Sequence, residues 1–174
     1  MKNNTHSWTL TKRQFFDVEC LLTGVFSPLR GFLNTSDYVS VCAHMRLLDH
    51  TLWPMPITLD VSEHFAAQCV LGDEVILVHH DNTPLARLTL ESIWQPNKRL
   101  EAEQVFGTTD EAHPGVYDLM HTTGAWYLGG TLQAITIPAH YDFIPYRQTP
   151  AALKQLFQYC GWSRVIAFQT RNPM

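Results

Sequence analysis

The sequence has few charged residues and no long hydrophobic run. Charged side chains make up 16% of its 174 residues. No stretch approaches the roughly 20 consecutive apolar residues that cross a bilayer, and the segment Met1–Trp8 lacks the apolar stretch of a secretory signal. These absences argue against a membrane protein and against a secreted protein, so we expect a cytoplasmic protein without a membrane partner.

Basic residues are also scarce. Lys and Arg number 12 against 16 Asp and Glu, which gives a formal net charge of −4 with the histidines neutral. Surfaces that bind a phosphate backbone need clustered Lys and Arg side chains. The charge therefore disfavours a nucleic-acid partner, although it leaves room for a local basic patch.

The sequence lacks the patterns of a metal site. There is no C-x-x-C pair and no histidine at zinc-ligand spacing. His79 and His80 are adjacent in a predicted strand and would point to opposite faces, which makes them a poor chelating pair. We therefore predict no metal site and expect the cysteines to be reduced core residues. The four cysteines are Cys20, Cys42, Cys69 and Cys160.

Local signals predict helices in the first two thirds of the chain. Thr11 and Gln14 form a capping box ahead of an apolar repeat, and Gly24 lies where a left-handed cap ends a helix. A second helix is predicted from about Ser36, and residues 98–106 form a third. The residues predicted to share one face of the second helix are Tyr38, Val41, Cys42 and Met45.

Alternating apolar and polar residues predict strands. Ile57, Leu59 and Val61 alternate with polar residues, which is typical of a strand with one buried face. Turn-forming residues at 81–84 predict a hairpin, and the pair Gly129-Gly130 predicts a bend. The predicted strands are 57–61, 74–79, 85–94 and 127–137.

The composition changes after Pro145. Thr149 and Pro150 start a predicted helix with an apolar stripe, and residues 164–169 predict a buried strand of a parallel sheet. The loop that follows carries an amide, a hydroxyl and a guanidinium, the groups of an anion site at the carboxyl end of a sheet. Taken alone, Arg171 beside Gln169 is a weak signal, and an ordinary surface loop remains an alternative.

Several segments together resemble one enzyme family. Their order and spacing match the amino-terminal region of ATP sulfurylase, the sulfate adenylyltransferase of sulfur metabolism, and the ending GWSRVIAFQTRNPM (161–174) resembles the start of its catalytic domain. The resemblance covers almost the whole chain. The other segments are LTKRQ (10–14), LLTGVFSPLRGFL (21–33), LWPMPITLD (52–60), VFGT (105–108), HPGV (113–116) and YLGG (127–130).

The resemblance implies a fold, a reaction and a site. The fold is α+β: a PUA-like β-barrel domain with helical decoration over residues 1–145, then a truncated α/β nucleotidyltransferase unit over 146–174. The family joins sulfate to the α-phosphate of MgATP and releases pyrophosphate. By this resemblance Gln169 and Arg171 hold sulfate, Thr170, Arg171 and Asn172 take part in catalysis, and all four contact ATP. Mg-ATP is then a substrate of the parent enzyme, and this chain binds no cofactor of its own.

One departure from the family affects the expected activity. The family continues after the equivalent of Pro173-Met174 into an H-x-x-H motif and the rest of the sheet, which this sequence does not contain. We therefore expect no adenylyl transfer by the chain alone, and expect a partner in the form of a missing catalytic segment or a homo-oligomer. The alternatives are a free-standing PUA-like module that binds RNA or protein, and a scaffold for regulation or dimerisation.

Overall fold

The structure of the chain, a computed structural model, describes residues 4–138, 140 and 142–168. The strands are β1 (Thr5–Thr9), β2 (Gly31–Phe32), β3 (Leu59–Val61), β4 (Glu74–Val78), β5 (Pro84–Trp94) and β6 (Trp126–Ala134). The helices are α1 (Lys12–Thr23), α2 (Thr35–His44), α3 (Glu63–Ala66), α4 (Lys98–Phe106), α5 (Pro114–His121) and α6 (Pro150–Tyr159), with a 3-10 turn at Ile144–Tyr146.

The strands form one mixed sheet that is not closed into a barrel. Its order is β1-β4-β5-β6-β2, with β3 also paired to β6, and only β1 and β4 run parallel among the pairs described. The α+β fold class is confirmed, but the predicted β-barrel is wrong. The strands along the outer edge of β6 have two and three residues, too few to continue the backbone ladder round to β1.

Helix α1 begins and ends where its local signals predict. The Thr11 side chain accepts from the Gln14 backbone N–H, the Gln14 side chain accepts from the Thr11 N–H, and Gly24 adopts the left-handed conformation with φ 79°. Val18 and Leu21 are buried against the sheet. Burial of this face adds to the capping interactions, so α1 fixes one wall of the main core.

The central hairpin and the bend of β6 are confirmed. Strands β4 and β5 flank the predicted turn, and β5 has a register shift between Leu90 and Ser92 where it passes the two glycines of β6. A Cβ atom on Gly129 would lie 2.1 Å from the backbone oxygen of Leu33. Glycine is therefore required here by the close approach of a neighbouring backbone.

Several details differ from the sequence predictions. Asp60 lies in β3 between two buried apolar residues, yet it is buried as well, so this strand has no solvated face. Met45 is the left-handed cap of α2 and is exposed, because the cap turns its side chain away from the buried helix face. Strands β1 and β2 and helices α3 and α5 were not predicted.

The carboxyl-terminal part combines a confirmed helix with a missing strand. The Thr149 hydroxyl caps α6 by accepting from the Ala152 N–H at 3.2 Å. Residues 164–168 form no strand and are exposed, so the predicted strand is wrong over the part that the structure describes. A strand needs neighbours to satisfy its backbone groups, and none of the described strands lies alongside this segment.

Candidate functional site

The predicted anion-binding loop lies outside the described residues. Gln169, Thr170, Arg171 and Asn172 all belong to this loop, so their predicted roles remain predictions. The residues that lead into it are described, and Ile166 is 96% exposed. The geometry given below is therefore that of the residues that precede the loop and support it.

A cleft of about 390 Å³ separates the end of α1 from the segment that leads into α6. Glu19 and Cys20 line its α1 side, and Arg147 and Thr149 line the other. The His140 imidazole contacts the Glu19 carboxylate across the cleft. This polar contact ties the connecting segment to α1.

A buried polar network joins α1 to β3. The Gln14 side-chain amide donates to the Asp60 backbone oxygen at 2.7 Å and to its carboxylate at 2.8 Å. The Gly124 N–H also donates to that carboxylate, at 2.6 Å, and Arg13 contacts it as well. Asp60 was not predicted in this role. Two features of the sequence could have indicated this role for Asp60: it lies between two apolar strand residues, and the capping-box residue Gln14 has a side-chain amide that can donate to a carboxylate.

Arg13 is occupied by two carboxylates. Besides Asp60, it donates to Asp17 one turn further along α1 at 3.0 Å. Burial raises the pKa of Asp17, although the Arg13 guanidinium lowers it in part. Two carboxylates beside the guanidinium offset its positive charge and disfavour an added anion, so we assign this network a structural role.

A second buried carboxylate lies between α4, α2 and β6. Glu101 Oε2 accepts from the Tyr38 hydroxyl at 2.8 Å and from the Tyr127 hydroxyl at 3.1 Å. Burial raises the pKa of Glu101, and burial together with this carboxylate raises the pKa of both tyrosines. The three groups satisfy one another and cross-link the elements that carry them.

The cysteines divide into two groups. Cys42 and Cys69 are buried, as predicted, and burial raises the pKa of their thiols to about 12 and about 11. Cys20 is half-buried with a raised pKa, while Cys160 is exposed, which contradicts its predicted core position. Cys160 caps α6, and none of that helix is buried, so its thiol lacks a core to enter.

The described residues hold no group of three or more His, Cys, Asp or Glu side chains placed to bind a metal ion. The predicted placement of His79 and His80 on opposite faces of a strand is wrong. Strand β4 ends at Val78, so both residues lie in the hairpin turn and their rings meet, with His79 Nε2 and His80 Nδ1 2.8 Å apart. Strand alternation does not apply to residues beyond the end of the strand.

Comparison with known proteins decides the family. A model of the PUA-like domain family matches residues 1–137. The chain belongs to the PUA-like domain family. Residues 145–174 match a second family model, described as ATP-sulfurylase. Within the part that the structure describes, no helix of this PUA-like protein is long and apolar enough to cross a membrane.

Two fungal relatives of this PUA-like chain carry the same name. It is 50% identical over 167 residues to the sulfate adenylyltransferase of Saccharomyces cerevisiae, covering 96% of this chain and 32% of the relative. It is 48% identical over 167 residues to that of Schizosaccharomyces pombe, covering 95% and 34%. The chain thus spans about a third of the length of the curated relatives it matches, and corresponds to their amino-terminal part.

A solved structure has the same fold. The hexameric APS kinase from Thiobacillus denitrificans matches with a TM-score of 0.73 and 31% sequence identity. The match covers 98% of this chain and 29% of that one. The fold therefore occurs within a longer chain in this neighbour too.

Proposed function

We propose that the chain is the amino-terminal part of a sulfate adenylyltransferase, which joins sulfate to the α-phosphate of ATP and releases pyrophosphate. The observation that carries the proposal is the 50% identity to the Saccharomyces cerevisiae enzyme over 167 residues, supported by the ATP-sulfurylase match at residues 145–174. The substrates of the whole enzyme are sulfate and ATP, the latter as its magnesium complex. The protein acts in the cytoplasm.

The loop at residues 169–172 contributes to the catalytic site. Gln169 and Arg171 hold sulfate, and Thr170, Arg171 and Asn172 act on ATP and on the reacting groups, with Gln169 also contacting ATP. Two anions must approach each other in this reaction. A planar guanidinium with hydrogen-bonding neighbours offsets their repulsion and the charge that develops on the leaving pyrophosphate.

The PUA-like domain and α6 support that loop. The contact between Glu19 and His140 ties the connecting segment to α1, and the Thr149 cap sets the start of α6, which precedes the loop in the chain. One loop does not provide the groups that position both anions, so the isolated chain is inactive on its own. The active unit includes further catalytic segments. It is a homo-oligomer, a form of assembly that the similarity to a hexameric enzyme supports.

A chimera tests this function. This chain replaces the aligned amino-terminal third of the Saccharomyces cerevisiae enzyme, and pyrophosphate release is measured with ATP and sulfate. We expect activity in the chimera and none in the 174-residue chain. Arg171→Ala should lower the chimera's kcat by about 100-fold to 1,000-fold, because it removes a contact that strengthens in the transition state.

Arg30→Ala is the matched control, since Arg30 is exposed and lies on the PUA-like domain. Its activity should equal that of the parent chimera. An active chimera that is indifferent to Arg171→Ala would refute the site assignment. Sustained turnover by the isolated chain, if Arg171→Ala abolishes it, would show that the chain is active without further segments.

A further inference from the structure

The turn between β4 and β5 brings two imidazoles into contact. His79 Nε2 and His80 Nδ1 lie 2.8 Å apart, and their ring planes meet at 64°. The turn is fixed by its own backbone bonds: the His79 N–H donates to the Thr83 oxygen, and Asn82 takes a left-handed conformation with φ 67°. The pairing of the two rings thus follows from the shape of the turn.

A carboxylate orients the first of these rings. His79 Nδ1 lies 3.2 Å from Asp81 Oδ1, and the Thr83 N–H donates to the same oxygen at 2.8 Å. A carboxylate accepts hydrogen bonds and does not donate them, so Asp81 lies where it can orient the His79 ring from the Nδ1 side while Nε2 faces His80. This is the arrangement by which outer carboxylates orient histidine ligands and raise their basicity in metal sites.

The separation of the two nitrogens favours particular ions. With metal–nitrogen bonds of about 2.0 Å, nitrogens 2.8 Å apart subtend about 90° at the ion. A tetrahedral ion would require nitrogens about 3.3 Å apart. An angle near a right angle is that of neighbouring ligands in square-planar and octahedral complexes, and imidazole suits copper and nickel.

We propose that His79 Nε2 and His80 Nδ1 chelate one divalent transition-metal ion, Cu²⁺ or Ni²⁺. The ion lies to one side of the line that joins the two nitrogens, and the proton that lies between the rings moves to His80 Nε2, so that both chelating nitrogens offer a lone pair. Water completes its coordination, because His80 is exposed and its ring is free to turn towards the ion. The His79 ring packs on Phe15 at 4.7 Å between centroids, which holds it on the side of the turn that faces α1.

Another histidine in the chain provides an internal comparison. His121 contacts the Glu111 carboxylate at 2.8 Å, as His79 contacts Asp81, but its ring lies beside Tyr117, and none of the described residues places a second imidazole against it. It therefore has the orienting carboxylate without the chelating pair. A single exposed imidazole should bind an ion more weakly than two that act together.

Calorimetric titration of the 174-residue chain with Ni²⁺ tests the proposal. Ni²⁺ is the probe because thiols reduce Cu²⁺, and Cys160→Ser removes the exposed thiol as a competing ligand. We expect one ion per chain and paramagnetic broadening of the His79 and His80 ring protons. His79→Ala and His80→Ala should each weaken binding at least about tenfold, and Asp81→Asn by about tenfold.

The double variant distinguishes chelation from independent binding. If both rings hold one ion, His79→Ala combined with His80→Ala weakens binding by less than the sum of the two single losses, because each single change already removes the chelate. His121→Ala should leave the affinity unchanged. Additive losses, a second site retained in each single variant, or an equal loss in His121→Ala would overturn the proposal. His80→Ala alone decides the matter if His79→Ala does not fold, because His80 is exposed.

Discussion

At the scale of single residues, Glu101 shows how burial competes with hydrogen bonding. Burial raises its pKa, while the hydroxyls of Tyr38 and Tyr127 and the charges of Lys98 and Arg13 lower it. The net effect is a rise above the usual value of 4.5. The folded state therefore holds this proton more tightly than the unfolded state does.

The sign of this shift gives a pH-dependent prediction for Glu101→Gln. The contribution of a carboxyl with a raised pKa is complete below the unfolded pKa and is lost as pH rises through the folded one. Glutamine keeps an acceptor for the two tyrosines but does not titrate. The variant should therefore gain stability relative to the parent over the pH range that begins near the usual carboxyl pKa and ends where the raised pKa of Glu101 has been passed, measured by urea unfolding.

Glu103→Gln on the same helix is the control, because Glu103 is exposed. Its stability difference from the parent should not follow that of Glu101→Gln across this range. A parent protein that gains stability over Glu101→Gln as pH rises would show that hydrogen bonding outweighs burial at this site.

At the scale of elements, the anchoring of α1 depends on Gln14. Its side chain is fully buried and accepts from Trp8 Nε1 at 3.2 Å and from the Thr11 N–H at 3.0 Å, while its amide donates to Asp60. Gln14→Ala removes all of these hydrogen bonds at once, and the buried Asp60 carboxylate keeps only its contacts with Gly124 and Arg13. We expect a loss of about 2–4 kcal/mol in the free energy of unfolding, measured in urea.

Gln158→Ala provides the comparison for that substitution. Gln158 is also helical but exposed on α6, so its replacement should change stability by no more than about 0.5 kcal/mol. Equal effects of the two substitutions would mean that the Gln14 network contributes nothing net to the anchoring of α1.

Elements with local signals were predictable, and those that depend on distant partners were not. Capping residues and turn formers within a few positions predicted α1, α6 and the central hairpin. Strand β1 was missed because its hydrogen bonds come from β4, and Asn4 meets Asp73 across 69 positions of sequence. The strand predicted at residues 164–168 was wrong for the same reason. An apolar run indicates that a segment would be stabilised by burial, but it does not indicate which elements lie beside it.

The candidate sites were likewise predictable only as far as local sequence signals and family resemblance reach. Residue types and their order predicted the loop at 169–172, chiefly through family resemblance, but its geometry needs structure beyond the described residues. The pairing of His79 with His80 was missed because the strand was predicted to end at His79 and ends at Val78. The ends of elements are the least certain part of any sequence interpretation.

At the scale of the whole molecule, the core belongs to the PUA-like domain. Every buried apolar side chain among the described residues lies between Leu10 and Leu128. Beyond that point Tyr159 is 91% exposed and Phe168 84% exposed. One helix and an irregular segment are too little to form a second core. We therefore propose a boundary near residue 145, with 1–145 as an independent domain and 146–174 as the start of the catalytic domain.

Limited proteolysis of the isolated chain tests this boundary. Cleavage should begin between Tyr146 and Thr149 and leave a stable amino-terminal product, because these residues are exposed and follow the last described strand. The intact chain should also self-associate more than the trimmed product, since residues 156–168 expose apolar side chains to water. Hydrogen exchange on a monomeric sample is the decisive measurement. If the amides of Val165–Phe168 were as protected as those of Leu59–Val61, the segment would be an integral part of the fold, and the boundary at residue 145 would be wrong.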